Sequence, residues 1–198
     1  AEESLKYLKF NFKSMKPDTP DRKERCLADA NRMRSAAIVF GDVLSTMQLV
    51  ETLYAELMTK LNNHFAQQPY LLGGKPCIGD FGMMAPLYGH LGRDPKPLAM
   101  MQQKAIRLFR WVERMNRPDA DMGEFASSEA DYLPDDKVAS TLIELLKHIA
   151  IDFIPETRAA ADLINTWLSE HTDLEPNTQL PRGVGNCEFE MRGSKISA

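Results

Sequence analysis

Apolar side chains recur at steps of three and four residues along most of the chain, a pattern that predicts amphipathic helices. The clearest stripe lies in residues 46–66, where Val50, Tyr54, Leu57, Leu61 and Phe65 share one face. Similar stripes predict helices at 1–16, 21–40 and 98–115, with a bend at Gly41-Asp42. Two further amphipathic stretches follow a polar loop at 119–136, and Pro155 suits the first turn of the second.

Residues 78–91 differ from these stretches because they leave almost no polar face. A helix that is apolar all round is normally buried. If Cys77 is its N-cap, Asp80 occupies the third helical position, from which its carboxylate can reach the N-cap N–H in a capping box. A thiol is a poor hydrogen-bond acceptor. We therefore predict that Cys77→Ser raises stability and Asp80→Ala lowers it, each by about 0.5–2 kcal/mol.

The segment from Leu72 to Phe81 reads LGGKPCIGDF and precedes this apolar helix. It resembles the box at the sixth helix of the glutathione S-transferase C-terminal domain, although that family has Ser or Thr where Cys77 stands. The resemblance covers roughly Arg22 to Arg117 and implies an all-α helical bundle with a C-terminal helical extension and an irregular tail. In the family this box is a folding element, so Cys77 and Asp80 are expected to cap a helix and not to catalyse.

The expected organisation follows from this resemblance and from the breaks in the pattern. It comprises an N-terminal helix and linker (1–20), the transferase-like helical core (21–118), a loop and two-helix extension (119–171) and an irregular tail (172–198). Within the tail, Cys187, Phe189 and Met191 alternate with Glu188 and Glu190, which indicates a short strand between Gly185 and Gly193.

The resemblance implies a function on the acceptor side of a glutathione transferase. Glutathione would bind only through an N-terminal thioredoxin-like domain, and nothing in this chain looks like one. We therefore expect no catalytic residue here and no activity from this chain alone. Arg32, Met33 and Ala36 are the residues expected to form an apolar wall for the acceptor, unless they are ordinary core and surface residues. The implied partners are a hydrophobic electrophile and a second copy in a homodimer. The alternative is a non-catalytic protein–protein interaction module.

Composition narrows these possibilities. The 198 residues carry a net charge of −4 with a pI near 5.6, which argues against a nucleic-acid surface. No apolar run reaches the roughly 20 residues of a membrane span. Three widely spaced cysteines, an odd number, indicate reduced thiols and a cytoplasmic location.

Other candidate chemistry is sparse. The four histidines lack zinc-binding spacing, so we expect no metal and interpret each as a helix-surface or helix-end residue. Cys77 at a helix N-terminus is either a redox thiol or, on the preferred reading, a substituted cap. The basic amphipathic stretch 1–16 is either a membrane-surface helix or, as we prefer, a peripheral helix packed on its own domain.

Overall fold

The computed structural model describes residues 2–39, 44–119, 121–181 and 183–197. Seven α-helices run through these residues: α1 (Glu2–Met15), α2 (Arg22–Val39), α3 (Met47–Phe65), α4 (Ile78–Met84), α5 (Pro95–Lys104), α6 (Ile106–Met115) and α7 (Ser140–Glu170). The prediction of a mostly helical protein is confirmed. None of the helices in this part of the chain has the length and apolarity needed to cross a membrane. The bend expected at Gly41-Asp42 lies outside the described residues.

The chain forms two compact units, and the first comprises Ala1–Ala30 with Glu51–Leu146. Its core lies where the second half of α3 meets α6 and the first turns of α7. Phe65 stacks on Trp111 with ring centroids 4.9 Å apart, and both side chains are fully buried. Leu61 and Leu108 are also buried. These side chains come from the apolar stripes that predicted α3 and α6.

The second unit comprises Asn31–Val50 with Lys147–Ala198 and contains a two-stranded sheet. Strands β1 (Glu188–Met191) and β2 (Ser194–Ser197) pair antiparallel, with Phe189 opposite Ile196. Arg192 and Gly193 join them, both with positive φ, as a two-residue hairpin turn favours. The tail is therefore not wholly irregular. The sequence pattern indicated β1 but not its partner β2.

Helix α7 corrects the expectation of two helices that meet at Pro155, because it runs unbroken from Ser140 to Glu170. A proline inside a helix removes one backbone hydrogen bond and crowds the carbonyl four residues earlier. Apolar residues recur at helical spacing on both sides of Pro155, and the helix continues through it despite this loss. The hairpin turn contacts this helix through Arg192, which donates from Nε and Nη2 to the two carboxylate oxygens of Asp152, at 2.8 and 3.1 Å.

The stretch predicted as one buried apolar helix has two parts. Helix α4 ends at Met84 and continues as a π-helical segment, Ala85–Leu91, with Pro86 in its first turn. Pro86 has no N–H for the carbonyl four residues earlier and its ring crowds that carbonyl, which disfavours an ordinary α-helix at this point. The expected burial is wrong for much of the surface, since Ile78 is 90% exposed and Phe81 is 61% exposed. An apolar composition alone does not supply a neighbour for every face.

Candidate functional site

A glycine turn positions the start of α4. Gly73 has a φ of +125°, and its carbonyl accepts a hydrogen bond from the N–H of Tyr70 at 3.0 Å. A distant loop runs alongside this turn: the N–H of Gly74 donates to the carbonyl of Asp131, and the N–H of Leu133 donates to that of Leu72, both at 2.8 Å. The turn is thereby held against residues 129–133 before the chain enters the helix.

Asp80 belongs to the first unit and is fully buried, and its carboxylate accepts several hydrogen bonds. Oδ2 accepts a hydrogen bond from the backbone N–H of Cys77 at 2.9 Å, which is the carboxylate half of a capping box. Oδ1 accepts from the N–H of Leu71 at 3.1 Å and from Nε1 of Trp111 at 3.0 Å. We call Asp80 with these three donor residues the Asp80 anchor. It ties together a loop, the start of α4 and helix α6.

Cys77 occupies the N-cap, with extended backbone angles. The backbone N–H of Asp80 faces its sulfur, but the thiol forms no side-chain capping bond of ordinary strength. Burial is the main cause that raises the pKa of the Cys77 thiol above its ordinary value. A raised pKa favours the thiol over the nucleophilic thiolate. This environment therefore favours the cap reading of Cys77 over the redox reading.

Replacing Cys77 by Ser should increase the free energy of unfolding by about 0.5–2 kcal/mol, because a hydroxyl oxygen accepts the N–H of Asp80 better than sulfur does. Urea denaturation midpoints measure the change. Cys77→Ala, which removes the acceptor, should show no such gain. A Ser variant no more stable than the Ala variant would contradict the prediction.

His64 lies in the last turn of α3, as its interpretation as a helix-end residue predicts, and its side chain is fully buried beside the Asp80 anchor. Its Nε2 lies 3.2 Å from the carbonyl oxygen of Tyr70, and its Nδ1 lies 2.8 Å from the hydroxyl of Thr141. Because a carbonyl only accepts, Nε2 carries the proton and Nδ1 accepts from Thr141. Burial lowers the pKa of His64, so the ring is held neutral.

The neutral His64 predicts a loss of stability in acid. Its pKa is lower in the folded state than the value of about 6.5 expected when the chain is unfolded, so the unfolded state binds the extra proton first. The free energy of unfolding should therefore keep its full value above about pH 6.5. Below that pH it should decrease, and His64 accounts for up to about 1.4 kcal/mol per pH unit.

Urea unfolding at pH 7.5 and pH 5.5 measures this effect in the wild type, His64→Gln and His90→Gln. His90 is exposed and serves as the matched control. The His64 variant should lose less stability between the two pH values than the other two proteins. Equal losses in all three would assign the acid sensitivity to other groups.

Arg114 and Tyr70 complete the buried polar contacts. Arg114 is 4% exposed, donates from Nη2 to the carbonyl of Pro69 at 3.0 Å, and pairs through Nη1 with Glu124 at 3.2 Å. The hydroxyl of Tyr70 donates to the carbonyl of Asp121 at 3.0 Å and accepts the N–H of the same residue at 2.9 Å. These bonds hold the loop after α6 against the segment that leads into the glycine turn at Gly73 and Gly74. The sequence pattern did not single out either residue.

The arrangement is therefore a structural anchor and not a set of groups poised for chemistry. The carboxylate of Asp80 is occupied by backbone and indole donors, and His64 is engaged through both ring nitrogens. Within the described ranges, no three side chains of His, Cys, Asp or Glu are grouped so as to hold a metal ion.

The residues expected to form an acceptor wall lie on α2, away from the Asp80 anchor in sequence. Arg32 is exposed, Met33 is 47% exposed and Ala36 is half-buried. Ala36 follows Met33 by three residues and Arg32 by four, spacings that bring each of these side chains next to that of Ala36 on the helix surface. These three residues belong to the second compact unit, whereas Cys77 and Asp80 belong to the first.

Comparisons with protein-family models, curated proteins and solved structures found no match for this chain.

Proposed function

We propose that this chain is the helical, acceptor-substrate half of a glutathione transferase-like protein, with glutathione bound by a separate thioredoxin-like domain. The observation that carries the proposal is the Asp80 anchor. It forms at the segment through which the sequence resembles that family, and its buried carboxylate connects the preceding loop, α4 and α6. An anchor of this kind would keep the helical core rigid while a separate surface binds substrate.

Exposed apolar side chains support an acceptor surface on α2. Met33 is 47% exposed and Ile38 is 61% exposed. Covering a side chain of this size is worth about 1.5–3 kcal/mol, so an apolar electrophile would gain affinity there. In this proposal Met33 and Ala36 contact the apolar part of the acceptor and Arg32 lies at its rim. Homodimer formation would cover further apolar surface, and three unpaired thiols support a cytoplasmic location.

Fusion to a thioredoxin-like domain from an active transferase tests the proposal. The fused protein, the chain alone and the isolated thioredoxin-like domain are assayed with glutathione and 1-chloro-2,4-dinitrobenzene. We expect no transfer by the chain alone, and a fused protein at least tenfold more active than the isolated domain. A fused protein no more active than the isolated domain would contradict the proposal.

Two methionine variants of the fused protein localise the acceptor surface. Met33→Ala should raise KM for the electrophile and leave KM for glutathione unchanged. Met15→Ala is the matched control, because Met15 is 69% exposed on a different helix. Equal effects of the two substitutions on KM for the electrophile would contradict an acceptor surface on α2.

A protein–protein interaction module is the second candidate, and the surface of α7 favours it. Ile151, Phe153 and Ile154 are each more than half exposed, and Ile164 and Leu168 are exposed further along the helix. Contiguous exposed apolar surface is typical of protein-binding sites. A module of this kind would form a stable complex that is insensitive to glutathione, and fusion to a thioredoxin-like domain would restore no transferase activity.

A further inference from the structure

We propose that a cavity between α1 and α2 binds a small organic anion with an apolar body, such as a medium-chain carboxylate. The cavity has a volume of about 280 Å³ and is lined by Lys9, Lys13, Arg22, Lys23, Cys26 and Leu27. All six residues belong to the first unit, and the inference is independent of the proposed transferase role.

The lining concentrates positive charge on a chain whose net charge is −4. Among the described side chains, Lys9, Lys13 and Lys23 have no ion-pair partner. Arg22 pairs with Asp18 at 2.9 Å, but Asp18 is 86% exposed, so water screens that pair. Among the side chains that the structure describes, those that line the cavity include no acidic one. A concave surface lined by one sign of charge raises the local concentration of the opposite ion.

The floor of the cavity favours an anion that carries an apolar group over a simple inorganic ion. Cys26 is 5% exposed and behaves as a small apolar residue, while Leu27 is 42% exposed. An apolar cavity of about 150 Å³ is large enough for benzene. A volume of about 280 Å³ therefore has room for an aromatic ring with a substituent or for a folded medium-length acyl chain. The ammonium groups at the rim would meet the carboxylate.

Isothermal titration of the full chain with decanoate, below its micelle concentration, tests the proposal against decanol as the uncharged match. Decanoate should bind at least tenfold more tightly than decanol. The double variant Lys13→Glu, Lys23→Glu should weaken decanoate binding at least tenfold. The charge-matched control is the double variant Lys75→Glu, Lys104→Glu, which reverses two exposed lysines outside the cavity and should stay within twofold of the wild type.

A second variant separates the floor from the rim. Leu27→Trp keeps every cation and fills the cavity, so it should also weaken decanoate binding at least tenfold. Equal affinities for decanoate and decanol would overturn the proposal. So would a Lys13→Glu, Lys23→Glu variant that binds decanoate like the wild type. Displacement of decanoate by millimolar inorganic phosphate would show a site for simple anions and would overturn the preference for an apolar body. Association with anionic phosphatidylserine vesicles without binding of monomeric decanoate would assign the basic surface to membranes and overturn it too.

Discussion

Replacing Asp80 by Ala should lower the free energy of unfolding by about 3–5 kcal/mol, which is larger than an ordinary capping effect. The carboxylate accepts hydrogen bonds from Leu71 and Trp111 in addition to the N-cap N–H of Cys77. Each hydrogen bond to a charged group contributes about 1.5–3 kcal/mol, and a buried donor left without a partner costs about 1–3 kcal/mol. These values do not add fully, because one side chain makes all three bonds.

Asp94→Ala is the matched control for this change. Asp94 is the N-cap of α5 and its side chain makes no capping bond, so its loss should cost less than about 0.5 kcal/mol. Urea unfolding followed by circular dichroism measures both variants, since the fluorescence of Trp111 is itself altered when Asp80 is removed. Equal losses in the two variants would show that Asp80 contributes no more than an N-cap residue whose side chain makes no capping bond.

Replacing Gly74 by Ala should lower the free energy of unfolding by about 1–3 kcal/mol. A Cβ atom on Gly74 would lie 1.9 Å from the backbone oxygen of Glu129 and 3.0 Å from its carbonyl carbon. Backbone atoms cannot rotate away as a side chain can. The loop at 129–133 must therefore shift and weaken the 2.8 Å bond between the N–H of Gly74 and the carbonyl of Asp131.

Gly82→Ala gives an effect of the opposite sign in the same region. Gly82 lies inside α4, and a Cβ atom there meets no atom within 4 Å. The substitution should stabilise the protein by about 0.5–1 kcal/mol through the better helix propensity of alanine. Thermal unfolding of both variants checks the pair. A Gly74 variant as stable as the wild type would show that the loop at 129–133 moves without cost.

The features that could be predicted from the sequence are those encoded within a few residues. The capping spacing between Cys77 and Asp80 is such a feature, and so is the apolar stripe of α3. Burial along that stripe is less predictable. Phe65 is fully buried, whereas Val50 on the same stripe is 41% exposed. Periodicity identifies the face of a helix, but the neighbours that cover the face come from distant parts of the chain.

The buried polar residues could not be predicted for the same reason. His64 and Arg114 are buried because the carbonyls of Tyr70 and Pro69 receive their N–H donors. Those carbonyls lie in an irregular loop, and a lone histidine or arginine on a helix carries no local sign of such a partner. Strand β2 is only four residues long, so its pairing with β1 is also a tertiary property.

The two tryptophans of the chain fall one in each unit, and this gives it two intrinsic fluorophores with different surroundings. Trp111 is fully buried and donates to Asp80, whereas Trp167 is half-buried and stacks on His171 with ring centroids 4.1 Å apart. In Trp167→Phe the emission reports on the first unit alone, and in Trp111→Phe on the second. The cooperativity between the units is thereby readable from the emission of the chain without any attached dye.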